Sequence, residues 1–134
     1  HLSIRRQRQM CIRDRNEPKA RDVVRHILEG SLDVQTMYPD SRGCLGINGA
    51  LACSAEAEPV RQELIRRRKS TEAALRRRLE GARDAGDLPV SADCGALATY
   101  VMTISQGMAV QAKSGTPKKM LDRVIAQVLD TWPP

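Results

Sequence analysis

Ser91 to Gly115 reads SADCGALATYVMTISQGMAVQAKSG, and its spacing decides the fold class. Leu97, Val101, Ile104 and Met108 recur at alternating steps of four and three, which puts them on one face of a helix. Ser91 or Asp93 can cap its start, because a short side-chain oxygen accepts from the free backbone N–H groups there. Gly115 can close its end in a left-handed conformation, and Pro117 opens the next element. The opposite flank is slim: Gly95, Ala98, Gly107, Ala109 and Ala112. Small side chains let a second helix come close. This helix is therefore expected at the centre, touched from two sides, and two-sided burial suggests a partner subunit.

The helix that follows spans Pro117 to about Thr131. Met120, Leu121, Val124, Ile125, Val128, Leu129 and Trp132 give it a wide apolar arc, with Lys118, Lys119, Asp122 and Arg123 outside. The short link at Gly115–Pro117 forces it antiparallel to the central helix. Together the two expose more apolar surface than one neighbour would cover, so self-association through this pair is the natural way to bury it.

On the other side, Ala85-Gly86-Asp87-Leu88-Pro89 reads as a helix end. Gly86 falls after the last turn, Leu88 can fold back, and Pro89 blocks continuation. The helix it ends begins at Glu58-Pro59. Val60, Leu64, Thr71, Leu75, Leu79 and Ala82 recur along it by threes and fours, with a break near Arg68. Two basic runs decorate it, Arg66-Arg67-Arg68-Lys69 and Arg76-Arg77-Arg78. Consecutive residues splay around a helix, so neither run makes a narrow phosphate-binding stripe. The i, i+4 pairs Glu63–Arg67 and Glu72–Arg76 are favourable, and Glu80–Asp84 is repulsive. The runs read as a solvated face with aliphatic stems over the core. No aromatic residues interleave them to stack bases, although a nucleic-acid contact stays open as the sharper alternative.

Gly43 to Ala55, GCLGINGALACSA, reads as a short helix of small residues. Gly46 and Gly49 weaken it by up to about 1 kcal/mol each relative to Ala, which close packing or the shape of a pocket would justify. The stretch is not a phosphate loop, since it lacks the Gly-Lys-Ser/Thr ending and follows no strand. Tyr38 to Gly43 is a turn by its residue types. A first helix spans Pro18 to Val34, with Val23, Val24, Ile27, Leu28 and Leu32 on its apolar face. His26 stands alone between faces, with no paired acid or nucleophile to make it a catalytic base.

The net charge is +6, but residues 1–15 hold five Arg against one Asp, so most of the excess sits there. HLSIRRQRQMCIRDR has no Met start and no amphipathic period. It is either a basic arm that binds phosphates by charge or, as preferred here, a segment resembling translated sequencing adapter. On that reading residues 1–15 are non-native or disordered, the domain is 16–134, and the native N-terminal part is missing.

Aromatics are scarce, with no Phe, so the core must come from Leu, Val, Ile, Met and Ala. That favours helix on helix. No apolar run approaches the roughly 20 residues of a membrane span, and no apolar h-region marks a signal peptide. The four cysteines, Cys11, Cys44, Cys53 and Cys94, form no CxxC pair, so no zinc site is expected. Buried free thiols are the simpler reading; a redox sensor built on Cys44 and Cys53 is the sharper one. No Ser/His/Asp set or motif-placed carboxylate pair points to an enzyme.

From Arg42 onward the chain resembles the C-terminal regulatory domain of TetR-type transcriptional regulators. The resemblance rests on RGCLGINGALA (42–52), PVRQELIRRR (59–68), the long Arg- and Ala-rich helix, AGDLP (85–89), ALATYVMTISQGMAVQAKSG (96–115) and the closing helix to Trp132. It implies an all-α antiparallel bundle of about five helices, whose last two pair with their copies as a four-helix-bundle homodimer interface. It also implies a small apolar or amphipathic effector, no cofactor, and a cytoplasmic protein off the membrane. Operator DNA would be reached only through an N-terminal helix-turn-helix that no residues before Pro18 supply. Pocket contacts differ across the family, so the candidates come from apolar faces and polar exceptions: Leu28, Leu32, Leu45, Asn48, Leu64, Tyr100, Ile104 and Met108. Asn48 or Tyr100 would fix a ligand by hydrogen bonding. The interface candidates are Thr103, Gln106, Gly107, Val110, Gln111, Met120, Val124, Gln127 and Val128. A ligand-free helical dimerisation module and a basic nucleic-acid-binding protein are the alternatives.

Overall fold

The structure is a computed structural model that describes residues 19–37 and 55–134. Among the described residues it is all helical. We number the α-helices α1 (Ala20–Thr36), α2 (Glu58–Asp84), α3 (Cys94–Lys113) and α4 (Lys118–Asp130), with one 3₁₀ turn at Ala55–Ala57 before α2. Four helices stand against the expected five. The missing one, Gly43–Ala55, lies almost wholly outside the described residues, and its last residue opens the 3₁₀ turn.

Local chemistry sets the ends. Asp93, not Ser91, caps α3: its carboxylate accepts from the Ala96 backbone N–H at 3.0 Å. Gly115 follows α3 with φ +96°, and Thr116 N donates to the Gln111 carbonyl while Gly115 N donates to that of Ala112. Gly86 does the same for α2 at φ +83°, with Asp87 N reaching the Ala82 carbonyl and Gly86 N that of Arg83. Both are Schellman endings, which only a residue tolerant of the left-handed region closes without strain. Leu88 folds back as expected and is buried.

α1 starts and stops two residues later than its apolar period suggests. Its N-cap, Lys19, makes no side-chain capping bond. The cap comes instead from Asp87, whose carboxylate accepts from the Ala20 backbone N–H and lies 3.6 Å from the Lys19 ammonium. At the other end the Thr36 hydroxyl donates back to the Leu32 carbonyl at 2.7 Å.

Four bridges orient the helices. Arg21 Nε donates to the Leu129 carbonyl and Lys118 Nζ meets the Asp33 carboxylate at 3.2 Å, so α1 and α4 run antiparallel. Arg83 Nη1 donates to the Ala92 carbonyl, and the Arg76 guanidinium lies over Gly95, so α2 and α3 run antiparallel. α1 packs on both α3 and α4, α2 packs mainly on α3, and α3 touches α4 less than either touches α1. One core runs through all four helices. Its fully buried large members are Leu28, Leu32, Leu79, Leu121, Val23, Val24 and Val101.

This arrangement corrects one inference. α3 is touched from two sides, but both neighbours, α1 and α2, belong to its own chain. Its slim flank is also divided. Ala98, Ala109 and Ala112 are buried inside the chain, while Gly107 faces out with no atom within 4 Å of the place a Cβ would take. Two-sided burial of α3 is therefore not by itself a sign of a partner subunit.

Candidate functional site

The apolar pocket candidates divide by depth. Leu28, Leu32 and Met108 are at most 2% exposed, and Ile104 packs half-buried against the same core. Leu28 and Leu32 come from consecutive turns of α1 and Ile104 and Met108 from consecutive turns of α3, and all four belong to the one core these helices share. Leu64 is half-buried on α2. Leu45 and Asn48 lie outside the described residues. Tyr100 does not join them. It is 39% exposed and lines a shallow, largely apolar surface groove of about 380 Å³ with Pro89, Ala96, Leu97 and Pro133.

Gln35 and Arg68, which sequence reasoning did not select, each bury an unpartnered polar atom. Gln35 is 4% exposed on α1, one turn beyond Leu32. Its Nε2 donates to the Ser105 carbonyl of α3 at 3.1 Å, while its Oε1 is buried with no donor. Arg68 is half-buried on α2 with its Nε out of contact with solvent and unpartnered. Leaving such a group unmade costs about 1–3 kcal/mol. Arg68 shares the helix face of Leu75 and Ala82, which follow it at heptad spacing and are buried. The break in the apolar period near Arg68 was the signal for it: an arginine stands where the pattern asks for a hydrophobe. Gln35 gave no signal, because its burial depends on α3 passing over it.

Helix rise puts the two at one level along α3. Arg76 lies over Gly95, and Arg68 is eight residues earlier on the antiparallel α2, about 12 Å back along its axis. That level falls near Met102 to Ile104, beside the Ser105 carbonyl that Gln35 holds.

The interface candidates sit mostly on an outer face. Thr103, Gly107, Val110 and Gln111 of α3 are exposed and Gln106 is half-buried; on α4, Met120 and Gln127 are exposed and Val124 is half-buried. Tyr100, Thr103, Gly107 and Val110 follow three-four-three spacing, so they form one stripe. Val110 is 48% and Met120 46% exposed. Val128 departs from the group: it is 2% exposed and packs in the chain's own core.

The basic runs of α2 are resolved by neighbours. Glu63 accepts from both Arg66 and Arg67, and Arg76 pairs with Glu80 at 2.8 Å rather than with Glu72. Hydrogen bonds from Arg66, then Arg67, hold the Glu63 carboxyl below its ordinary value, and Glu63 in turn raises Arg66. Among the described residues no group of His, Cys, Asp and Glu could hold a metal ion, and no helix is long and apolar enough to cross a membrane. Cys94 is a free, buried thiol.

Comparison with known proteins places this geometry. Residues 18–128 match the family model described as "Tetracyclin repressor-like, C-terminal domain". The HTH-type transcriptional repressor ComR of Escherichia coli (strain K12) is 28% identical over 91 residues, covering 68% of this chain and 43% of ComR. Two structures of the TetR family transcriptional regulator CifR, cysteine variants in complex with 26-bp double-strand operator DNA, superpose with a TM-score of 0.84 at 32% and 30% identity. Each likeness covers 95% of this chain and 66% of the CifR chain, so the chain spans less than two thirds of these relatives' lengths. The chain belongs to the TetR family of transcriptional regulators, and what it carries is the C-terminal regulatory domain.

Proposed function

We propose that the intact protein is a homodimeric, cytoplasmic transcriptional repressor that lets go of operator DNA when a small apolar or amphipathic effector binds this domain. Dimerisation would use the outer face of α3 and α4, with Thr103, Gln106, Gly107, Val110, Gln111, Met120, Val124 and Gln127 in or beside the contact. The observation that carries this is the stripe itself: Val110 and Met120 stand half exposed on adjoining helices, in a family whose members are regulators. Operator contact would belong to a helix-turn-helix head in the intact protein: ComR is an HTH-type repressor, and CifR was solved on operator DNA.

The effector would lie between α1, α2 and α3, against Leu28, Leu32, Leu64, Ile104 and Met108, with Leu45 and Asn48 as further candidates. A ligand that prefers one spacing of the helices shifts the dimer toward it by no more than that preference. Tyr100 belongs to the outer groove and is a weaker candidate for the same ligand. Thermal melts of the purified chain test the effector half of this reading. A compound that binds the folded state raises Tm with concentration; a broad screen of apolar and amphipathic compounds that leaves Tm unmoved would favour a ligand-free dimerisation module.

A further inference from the structure

We propose that Arg68 and Gln35 form the polar end of the effector site, and that the effector is a small carboxylate with an apolar body. This rests on the effector reading above and names the class of molecule. The first support is the state of Arg68. Its neighbours Arg66 and Arg67 spend their charge on Glu63, but no ion pair engages Arg68 among the described residues. Glu72, one turn on, is also half-buried and does not pair with it. A guanidinium on an inward helix face, with a buried and unused N–H, presents a planar fork that matches a carboxylate in two parallel hydrogen bonds. Water could satisfy the N–H but would leave the charge uncompensated.

The second support is independent and comes from α1. Gln35 Oε1 is a buried acceptor with no donor, while its Nε2 is fixed on the Ser105 carbonyl. The amide therefore cannot turn to satisfy itself, and Oε1 asks for an O–H or N–H from a ligand. Gln35 bonds α3 at Ser105, and by helix rise Arg68 on α2 stands level with about Ile104; Leu32 lies one turn from Gln35. Apolar walls with a few convergent polar groups are the usual composition of a small-molecule site.

Titration calorimetry on the purified chain tests this with octanoate, 3-hydroxyoctanoate and 1-octanol. Octanoate is expected to bind the wild-type chain more tightly than 1-octanol. Arg68→Gln should weaken octanoate at least tenfold and leave 1-octanol unchanged. Arg68→Lys should fall between, because it keeps the charge and loses the fork. Arg67→Gln, on the solvent side, should bind octanoate as the wild type does. The 3-hydroxyl should add affinity that Gln35→Leu removes. Circular dichroism of each variant establishes that the helices are intact. Equal octanoate affinity in wild type and Arg68→Gln overturns the inference, as does octanoate failing to bind the wild type. In either case, binding of 1-octanol leaves the effector reading standing; if none of the three binds, both readings fall.

Discussion

Asp87 shows how a single residue ties distant parts of this chain together. It sits in the loop after α2, yet its carboxylate caps the first turn of α1, 67 residues away in sequence. A side-chain cap contributes about 1 kcal/mol, and the accompanying pair with the exposed Lys19 adds little. Asp87→Ala is expected to lower stability by about 1 kcal/mol in a urea melt, and Asp87→Asn by less, since an amide oxygen also caps. Glu63 makes a second prediction. Its carboxyl is held low by Arg66 first and Arg67 second. Whatever the pair contributes is therefore present above the ordinary carboxylate range and lost as pH falls through the lowered value. Carboxyl NMR should place the Glu63 midpoint below 4.5, and Arg66→Gln should bring it back toward that value. A midpoint unmoved by Arg66→Gln would refute the assigned cause.

At the level of elements, the helix ends are the best-determined features. Replacing Gly115 by Ala forces a side chain into the left-handed region, and a loss of about 1 kcal/mol is expected. Leu79→Ala, at 0% exposure, should cost about 2–5 kcal/mol in the same melt. Much of this architecture was legible in the sequence, because capping residues, Gly-Asp-Leu-Pro and heptad spacing are local signals. All four α-helices begin and end within about three residues of where those signals put them. What was not legible depends on tertiary contact. The start of α1 is fixed by Asp87 from another loop, and nothing near Lys19 announces it. The slim flank of α3 reads as one surface in sequence, but Ala98 and Ala112 turn to the chain's own helices while Gly107 turns outward. Val128 fits the apolar arc of α4, and only the packing shows that it belongs to the inside. Arg68 was visible as a fault in the pattern, but its inward direction had to come from the fold.

For the whole molecule, the central claim is that α3 and α4 carry the surface on which two copies meet. The outer stripe, with Val110 and Met120 half exposed, supplies the apolar area for the proposed dimer. Val110→Arg places a charge on that stripe, at a side chain already half exposed in one chain. It should therefore leave the helical content of each copy unchanged while separating the copies, because a charge without a partner is costly to desolvate at an interface. Lys113→Glu, an exposed change at the end of α3, serves as the comparison. The most direct measurement is sedimentation equilibrium of the purified chain and of Val110→Arg across a concentration series. A dimer is expected for the wild type, and a folded monomer for Val110→Arg at the same concentrations. A wild-type chain that stays a folded monomer at the highest concentration would contradict the central claim, as would a Val110→Arg chain as fully dimeric as the wild type.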